Sequence, residues 1–577
     1  MVFHPPPWVP PLPAIPDSIT VDEFINSEAY GRKPFSTSKS PYTCGVTGQS
    51  RSAADVAERV EYLARGLAKN AQLDPLEGTE WDRVVAIYSL NTVDYIPVTH
   101  AVHRLDGIVT PASAAHSTSE LEHQLRSSGA KALFTCVPLL DKALKAARAV
   151  GIPEKNIFLL PVPGISAPSN VKTIEDLISE GKTLSPVSVR KWIPGQGKRQ
   201  VAYLSYSSGT SGLPKAVMIS HYNVIACILM INTFEQGDNR KGGLNTQVSL
   251  GVLPFSHIYG LVVVAHVAHY RGDEVIVLQK FQLDQLLAAI QRFKIEVLYV
   301  VPPILVQFLS NLDKCKKYDL GSVRLAFSGA APLGSEASHK MLELFPKWKI
   351  SQGYGLTEAS PSVLHSSETD SLMGSSGSLL PGVKAKIIDQ YGKEVTEHET
   401  PGELYVQSPN VTLGYLNNAK ANAETFVWDK DGRWLRTGDE VLVRKSPAGF
   451  ELFVVVDRIK ELIKVKGHQV APAELEAHLL DHPHVSDCAV IGIHDDRAGE
   501  VPLAFVVKSK EASSLSTEEV ERSIHEHVES HKARHKWLKG GIRFLELIPK
   551  SPSGKILRRV LRSQAAPPVG KKELAKL

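Results

Sequence analysis

Five cysteines, Cys44, Cys136, Cys227, Cys315 and Cys488, are all that the 577 residues contain, and none stands in a CxxC pair or at ligand-like spacing. That scarcity speaks against a disulfide framework and a cysteine-built zinc site, and it fits a reducing compartment. Charge of one sign is equally short. Lys+Arg 65 against Asp+Glu 61 leaves a formal net charge of +4, so no broad basic surface points to nucleic acid or an anionic membrane. Long apolar runs are missing as well: the most apolar stretch, 261–268, is interrupted by His266 and falls well below the length of a membrane span. No segment is expected to cross a bilayer. The opening MVFHPPPWVPPLPAIP has no charged leader ahead of an apolar region, so it reads as a proline-rich arm rather than a secretory signal. No internal repeat and no long low-complexity region interrupts the chain.

What is present is enough apolar material, 43% of residues, for a large core and more than one domain. Val56, Val60, Leu63 and Leu67 recur at helical spacing over 52–70, and a short apolar strand follows at 84–88. Further β-rich runs at 132–135, 248–253, 274–278, 297–301 and 323–327 are separated by helical segments such as 284–293. This alternation predicts an α/β fold with substantially parallel sheets, a large N-terminal domain of layered α/β sheets. The texture changes near residue 458. Pro472 suits the first turn of a helix bearing Leu475, Leu479 and Leu480, which Pro483 stops, while Ser516 and Glu519 form a capping box ahead of Val520, Ile524 and Val528. Strands are expected at 485–493 and 501–507. The expected division is therefore 1–457 for the large domain, 458–459 for a hinge region and 460–577 for a small, mobile α+β domain.

The run YSSGTSGLPKAV (206–217) concentrates chemistry most densely. Two glycines, Gly209 and Gly212, five hydroxyl-bearing residues and Lys215 share twelve positions after an apolar strand at 201–206. Glycine lets backbone N–H groups face an anion without an obstructing Cβ, and hydroxyls plus an ammonium add donors and charge. The run lacks the GxxxxGK[ST] spacing of a Walker A loop, so it predicts another kind of phosphate-binding loop. A Ser/Gly-rich surface linker has the same composition.

Six further runs stand in order: PFSHIYG (254–260), SGAAPL (328–333), QGYGLTE (352–358), RTGD (436–439), DRIKELIKVKGHQVAP (457–472) and SPSGKILRR (551–559). With the glycine-rich loop they resemble the adenylate-forming superfamily of acyl-CoA synthetases, luciferases and adenylation domains. The likeness covers nearly the whole chain and is nearest the coumarate-CoA-ligase-like branch, in particular fungal peroxisomal ligases of the phenylacetate-activating type, with PYTCG (41–45) and HKARHKWLKGG (531–541) included.

The resemblance implies two steps in one site. A carboxylate attacks the α-phosphate of MgATP to give an acyl-adenylate and pyrophosphate, and the thiol of CoA then displaces AMP. By motif, Lys555 would stabilise the first transition state, with His257 gating the acyl pocket and Lys464 and Gln469 assisting. Nucleotide contacts would come from Ser207, Ser208, Gly209, Thr210, Ser211, Gly212 and Lys215 in the phosphate loop. Gly329, Ala330, Ala331, Gly353, Tyr354 and Gly355 would surround the adenine, Thr357 would also contact the nucleotide, and Asp439 and Arg458 would hold the ribose. Glu358 and Thr210 would hold Mg²⁺, Lys460 would be the hinge, and Lys466 and Gly467 would line the CoA tunnel. Outside this context Lys555 reads as a solvated lysine, Glu358 as a surface acid, Asp439 and Arg458 as ion-pair members and His257 as a structural histidine.

The pattern departs from relatives at Ala216, where many carry glycine, and at Ser256, where plant coumarate ligases carry phenylalanine; the second bears on the shape of the acid pocket. The expected activity is an ATP-dependent acyl-CoA ligase acting on an aryl or medium-chain carboxylic acid. A long-chain fatty acyl-CoA synthetase, a luciferase-like oxygenase, an adenylation domain serving a carrier protein and a catalytically idle adenylate-binding protein share its motifs. Ala575, Lys576 and Leu577 match the SKL-type address read by the peroxisomal import receptor, so peroxisomal localisation is expected.

Overall fold

The computed structural model describes residues 1–207, 214–238, 246–551 and 554–565, and the side chain of Glu336 lies outside the description. Ser208, Gly209, Thr210, Ser211 and Gly212 therefore fall outside the described residues, as do Ala575, Lys576 and Leu577. Seven strands and two helices frame the site and the C-terminal domain: β1 (Val201–Ser207), β2 (Lys215–Ser220), β3 (Lys349–Gly355), β4 (Gly432–Lys445), β5 (Glu451–Arg458), β6 (Ile463–Val465), β7 (His468–Val470), α1 (Pro472–Leu480) and α2 (Thr517–His531).

Two large sheets make the body of the N-terminal part. In the seven-stranded sheet, Ile157–Leu159, Ala132–Thr135, Val84–Tyr88, Ile108–Ala112 and β1 run parallel, and then β2 and Gly414–Tyr415 turn back antiparallel. In the eight-stranded sheet six parallel strands lead from Tyr42–Cys44 to β3, after which Ser362–His365 and Ser378–Leu379 reverse. These strands are apolar on both faces because helices cover them, so they read as continuous runs rather than alternating ones. One extensive core joins both sheets with the wholly buried Tyr259–Val267, a π-helical segment that accounts for the apolar stretch at 261–268. Among the described residues no helix is long and apolar enough to cross a membrane.

A third sheet departs from the expected parallel order. Lys384–Ile388, Gly402–Gln407, β4, Phe426–Asp429 and β5 pair antiparallel throughout. Its last three strands follow one another through short turns at 430–431 and 446–450, and hairpin connection forces antiparallel pairing there, while between Gly402–Gln407 and Phe426–Asp429 the chain leaves the sheet for Gly414–Tyr415 and the helix Ala419–Thr425. Two strand bounds also shift: the run at 248–253 is strand only over Val248–Gly251, and the one at 323–327 is strand over Leu325–Ser328.

β5 ends at Arg458, a turn spans 459–461, and β6 opens a separate five-stranded sheet with β7, Gly499–Lys508, Val485–Asp495 and Ile542–Phe544. This sheet has its own apolar clusters, one of which includes Leu475, Leu479, Val520, Ile524 and Val528 from α1 and α2. The Ser516 side chain accepts from Glu519 N–H and the Glu519 carboxylate accepts from Ser516 N–H, closing the capping box.

Candidate active site

The site forms where the ends of β3 and β5 and the middle of β4 meet Ser551, Gly554 and Lys555 of the C-terminal domain. Asp439 follows Gly438 on β4 and sits directly opposite Arg458, the last residue of β5. The Asp439 carboxylate is buried; it accepts a 2.6 Å hydrogen bond from the Tyr354 hydroxyl at one oxygen and lies 3.5 Å from Arg458 Nε at the other. Burial raises its pKa, against the pull of Arg458, the Tyr354 bond and Lys555. The Tyr354 hydroxyl is driven well up by burial and by Asp439, which keeps it a donor.

Lys555 enters from the other domain. Its N–H donates to Ser551 Oγ at 3.1 Å and its carbonyl accepts from Ser551 N–H at 2.8 Å, holding a tight turn. Gly554 in that turn has φ +82°, and a Cβ there would lie 2.9 Å from Val301 Cγ2 and 3.4 Å from Pro303 Cδ. Glycine thus lets the loop lie against the N-terminal domain in a conformation that other residues resist. Burial lowers the Lys555 pKa to about 8; Arg458 adds to the effect, and the carboxylates of Asp439, Glu461 and Glu358 oppose it. His257 senses the same ammonium. Its imidazole is driven to about 4 by burial first and Lys555 second, although part of the ring is open to the cleft. His257 Nδ1 accepts the Tyr259 N–H at 3.3 Å, so the neutral ring carries its proton on Nε2.

Glu358 lies in the short turn Thr357–Ala359, buried, with Oε1 accepting the Tyr415 hydroxyl at 2.8 Å. The Lys215 ammonium stands 4.8 Å from the centre of the Tyr415 ring, and Lys215 pairs with Ser207 across β1 and β2, at the base of the glycine-rich loop. Gly355 permits the close approach of chain beside this turn, since a Cβ there would meet Pro361 O at 2.1 Å. Gly329 packs under the Tyr259 ring, and Ala330 takes φ +68°, an unfavourable conformation for a residue with a Cβ, beside the half-buried Ala331. Gly353 fits against the Phe327 ring.

Lys555, Asp439, Arg458, Glu358 and His257 are thus gathered by electrostatics and contact, with Tyr354 among them. Lys464 and Gln469 are not gathered there: they face each other across β6 and β7 with exposed side chains, and Lys464 N–H donates to Glu500 Oε2 at 2.8 Å. Lys466 and Gly467 form the exposed tip of that hairpin with φ of 49° and 83°, and Lys460 is exposed in the turn between domains. Motif reading missed Tyr415, Tyr259 and Glu461. Tyr415 stands in a two-residue strand of no periodic pattern, and its tie to Glu358 spans 57 positions.

Comparison with known proteins fits this geometry. The family described as "AMP-binding enzyme" matches residues 29–416, and "AMP-binding enzyme C-terminal domain" matches 474–555. The chain belongs to the AMP-binding enzyme family. Its class is that of the AMP-forming acid–thiol ligases. Acyl-CoA ligase AFT1-1 of Alternaria alternata is 43% identical over 574 residues, covering 98% of each chain. Acyl-CoA ligase easD of Emericella nidulans is 38% identical, over 98% of this chain and all of that protein. Among solved structures, the anthranilate CoA ligase AuaEII in complex with anthranoyl-AMP superposes with a TM-score of 0.79 at 23% identity, covering 96% of this chain and 98% of that one; at that identity the likeness shows the fold.

Proposed function

We propose that this AMP-binding enzyme joins an aryl or medium-chain carboxylic acid to CoA through an acyl-adenylate. The observation that carries the reading is the placement of Lys555, delivered from the C-terminal domain to the buried carboxylates of Asp439 and Glu358 and the half-buried Arg458 and His257. A carboxylate oxygen of the acid bonds to the α-phosphorus of ATP, and the bond to the bridging oxygen breaks with pyrophosphate taking the electron pair. Negative charge builds on the α-phosphate oxygens, and the Lys555 ammonium stabilises it in a site shielded from water. Asp439 accepts the ribose hydroxyls, with Arg458 alongside. Neutral His257 presents Nε2–H to the acid's carboxylate, orienting it without a counter-charge that would blunt its attack. In the second step CoA sulfur bonds to the acyl carbon and AMP leaves with the electron pair. For this step the C-terminal domain turns about Lys460, withdrawing Lys555 and bringing the Lys466–Gly467 tip and the Lys464–Gln469 pair to the cleft.

A hard divalent cation suits the Glu358 carboxylate, which keeps one oxygen beyond its bond to Tyr415. Glu358, with Thr210, would hold Mg²⁺, which supplies charge neutralisation of the ATP phosphates. The acid class rests on the sequence likeness to phenylacetate-activating ligases. Relatives named acyl-CoA ligases support the thioester product. The tripeptide Ala575-Lys576-Leu577 supports delivery to peroxisomes, and loss of punctate localisation on deleting Leu577 from a fluorescent fusion tests that part.

The purified protein, given MgATP and a panel of aryl, medium-chain and long-chain acids with and without CoA, is expected to form CoA-dependent thioester with aryl or medium-chain members. Thioester only from long-chain acids overturns the acid class. Adenylate without thioester, or no nucleotide turnover at all, overturns the ligase reading.

A further inference from the structure

Three imidazoles meet between two helices of the C-terminal domain, and none of them takes part in the proposed reaction. His478 is in the last turn of α1; His527 and His531 stand one turn apart on α2, so their side chains share a face. One ring nitrogen from each lies within 4.8 Å of the other two. The His478 and His527 rings stack with centroids 4.1 Å apart, and the His531 ring sits 5.5 and 5.3 Å from them.

Each ring is tied to a backbone carbonyl: His478 Nε2 to His527 O at 3.3 Å, His527 Nε2 to His478 O at 3.1 Å and His531 Nδ1 to His527 O at 2.9 Å. A carbonyl only accepts, so each of these nitrogens carries the proton and the other nitrogen of each neutral ring is left with a lone pair. Metal-bound histidines are commonly oriented by such a bond from the non-ligating nitrogen to a carbonyl.

We propose that His478, His527 and His531 form a binding site for a divalent transition-metal ion of the zinc class, clasping α1 to α2. A set of three imidazoles without carboxylate or thiolate selects Zn²⁺, Cu²⁺ or Ni²⁺ and gives little to Mg²⁺ or Ca²⁺, so it is chemically separate from the oxygen site at Glu358. Zinc–nitrogen bonds of about 2.0 Å put ligand atoms on a tetrahedral ion about 3.3 Å apart, so the nitrogens must draw in by about 1.5 Å at most. His531 is exposed, which leaves solvent to fill the fourth position. The clasp bears on the domain turn, because Ala473 N–H at the start of α1 donates to Asp457 Oδ2 on β5 at 2.9 Å.

The test uses the full-length chain without an affinity tag, stripped of metal by chelator and then titrated with Co²⁺ and, by calorimetry, with Zn²⁺. One equivalent of Co²⁺ giving visible ligand-field absorption, displaced by Zn²⁺ and untouched by excess Mg²⁺, is expected. His531→Ala and His527→Ala should each weaken Zn²⁺ binding at least tenfold, while His494→Ala, an exposed histidine elsewhere in the domain, should not. His531 is exposed and its replacement spares the packing, so circular dichroism of that variant should match the parent. Absence of the cobalt spectrum, or a spectrum and affinity that survive His531→Ala and His527→Ala, overturns the proposal.

Discussion

Replacing Lys555 with alanine should separate the two half-reactions. Its pKa falls from 10.5 to about 8 in the closed arrangement. At about 1.4 kcal/mol per unit, the site without nucleotide disfavours the ammonium by about 3 kcal/mol relative to solvent, even after Asp439, Glu461 and Glu358 have offset part of the burial. A group with a pKa near 8 is still about nine-tenths protonated at pH 7, so the cation is present but poorly neutralised until phosphate arrives. Removing it should lower adenylate formation by roughly 100- to 1,000-fold, the usual cost of losing one preorganised partner of a developing oxyanion. The same change lifts the burial penalty, so preformed acyl-adenylate should bind the variant as tightly as the parent or more so. Pyrophosphate exchange measures the first half, and single-turnover conversion of synthetic acyl-adenylate with CoA measures the second, where a loss below about threefold is expected. Equal losses in both halves, or less than a tenfold loss in exchange, would refute the assignment.

The protonated lysine is the active form, so kcat/KM for adenylation should fall as pH rises past about 8; bound phosphates raise the lysine pKa, so the limb in kcat should lie higher. Because the closed-state pKa lies below the free value, closure itself should firm between about 8 and 10.5 while activity is lost, which a domain-distance probe across that range would detect. Asp439→Asn weakens the pairing of the Arg458 guanidinium and the Tyr354 hydroxyl; a cost of about 1–3 kcal/mol predicts a KM for ATP raised roughly 5- to 150-fold, and an unchanged KM would refute the ribose-side role. Tyr415→Phe deletes one bond to Glu358 and should raise the Mg²⁺ requirement of adenylation while costing about 1 kcal/mol of stability, read by initial rates against free Mg²⁺ and by urea unfolding. Arg271→Met leaves Asp273 and Glu235 charged under the eight-stranded sheet and should destabilise the N-terminal domain by about 3–5 kcal/mol; an unfolding midpoint like the parent's would count against that burial argument.

The alternation of apolar runs with helical periods was legible because the central strands are covered on both faces and their helices are amphipathic. It failed at 384–458, where antiparallel order depends on turns between strands of mixed burial such as Gly402–Gln407, and at Tyr259–Val267, where complete burial removes any periodic signal. Motifs named Lys555, Asp439, Arg458, Glu358, Tyr354 and His257 one by one. What no linear reading contains is their company: Arg458 meets Asp439 through the β4–β5 register, and Tyr415 meets Glu358 through a strand pairing with β2. The histidine set is hidden for the same reason, since His478 is separated from His527 by 49 positions and joins it only when α1 packs on α2.

That β4–β5 register also bears on how one cleft can serve two chemistries. Arg458 closes the last strand of the N-terminal sheet, and Ile459 N–H still donates to Gly438 O at 3.0 Å, so backbone pairing holds the chain up to one residue short of Lys460. The proposed turn about Lys460 would therefore leave Arg458 and Asp439 together on the N-terminal side while carrying away Lys555, nearly a hundred residues later in the other domain. The groups proposed to hold the nucleotide and the group proposed to drive its activation lie on opposite sides of that proposed pivot. An adenylate made against Lys555 can then keep its ribose contacts while the ammonium, which the closed site holds at a cost, withdraws into water and opens the face from which a thiol must approach.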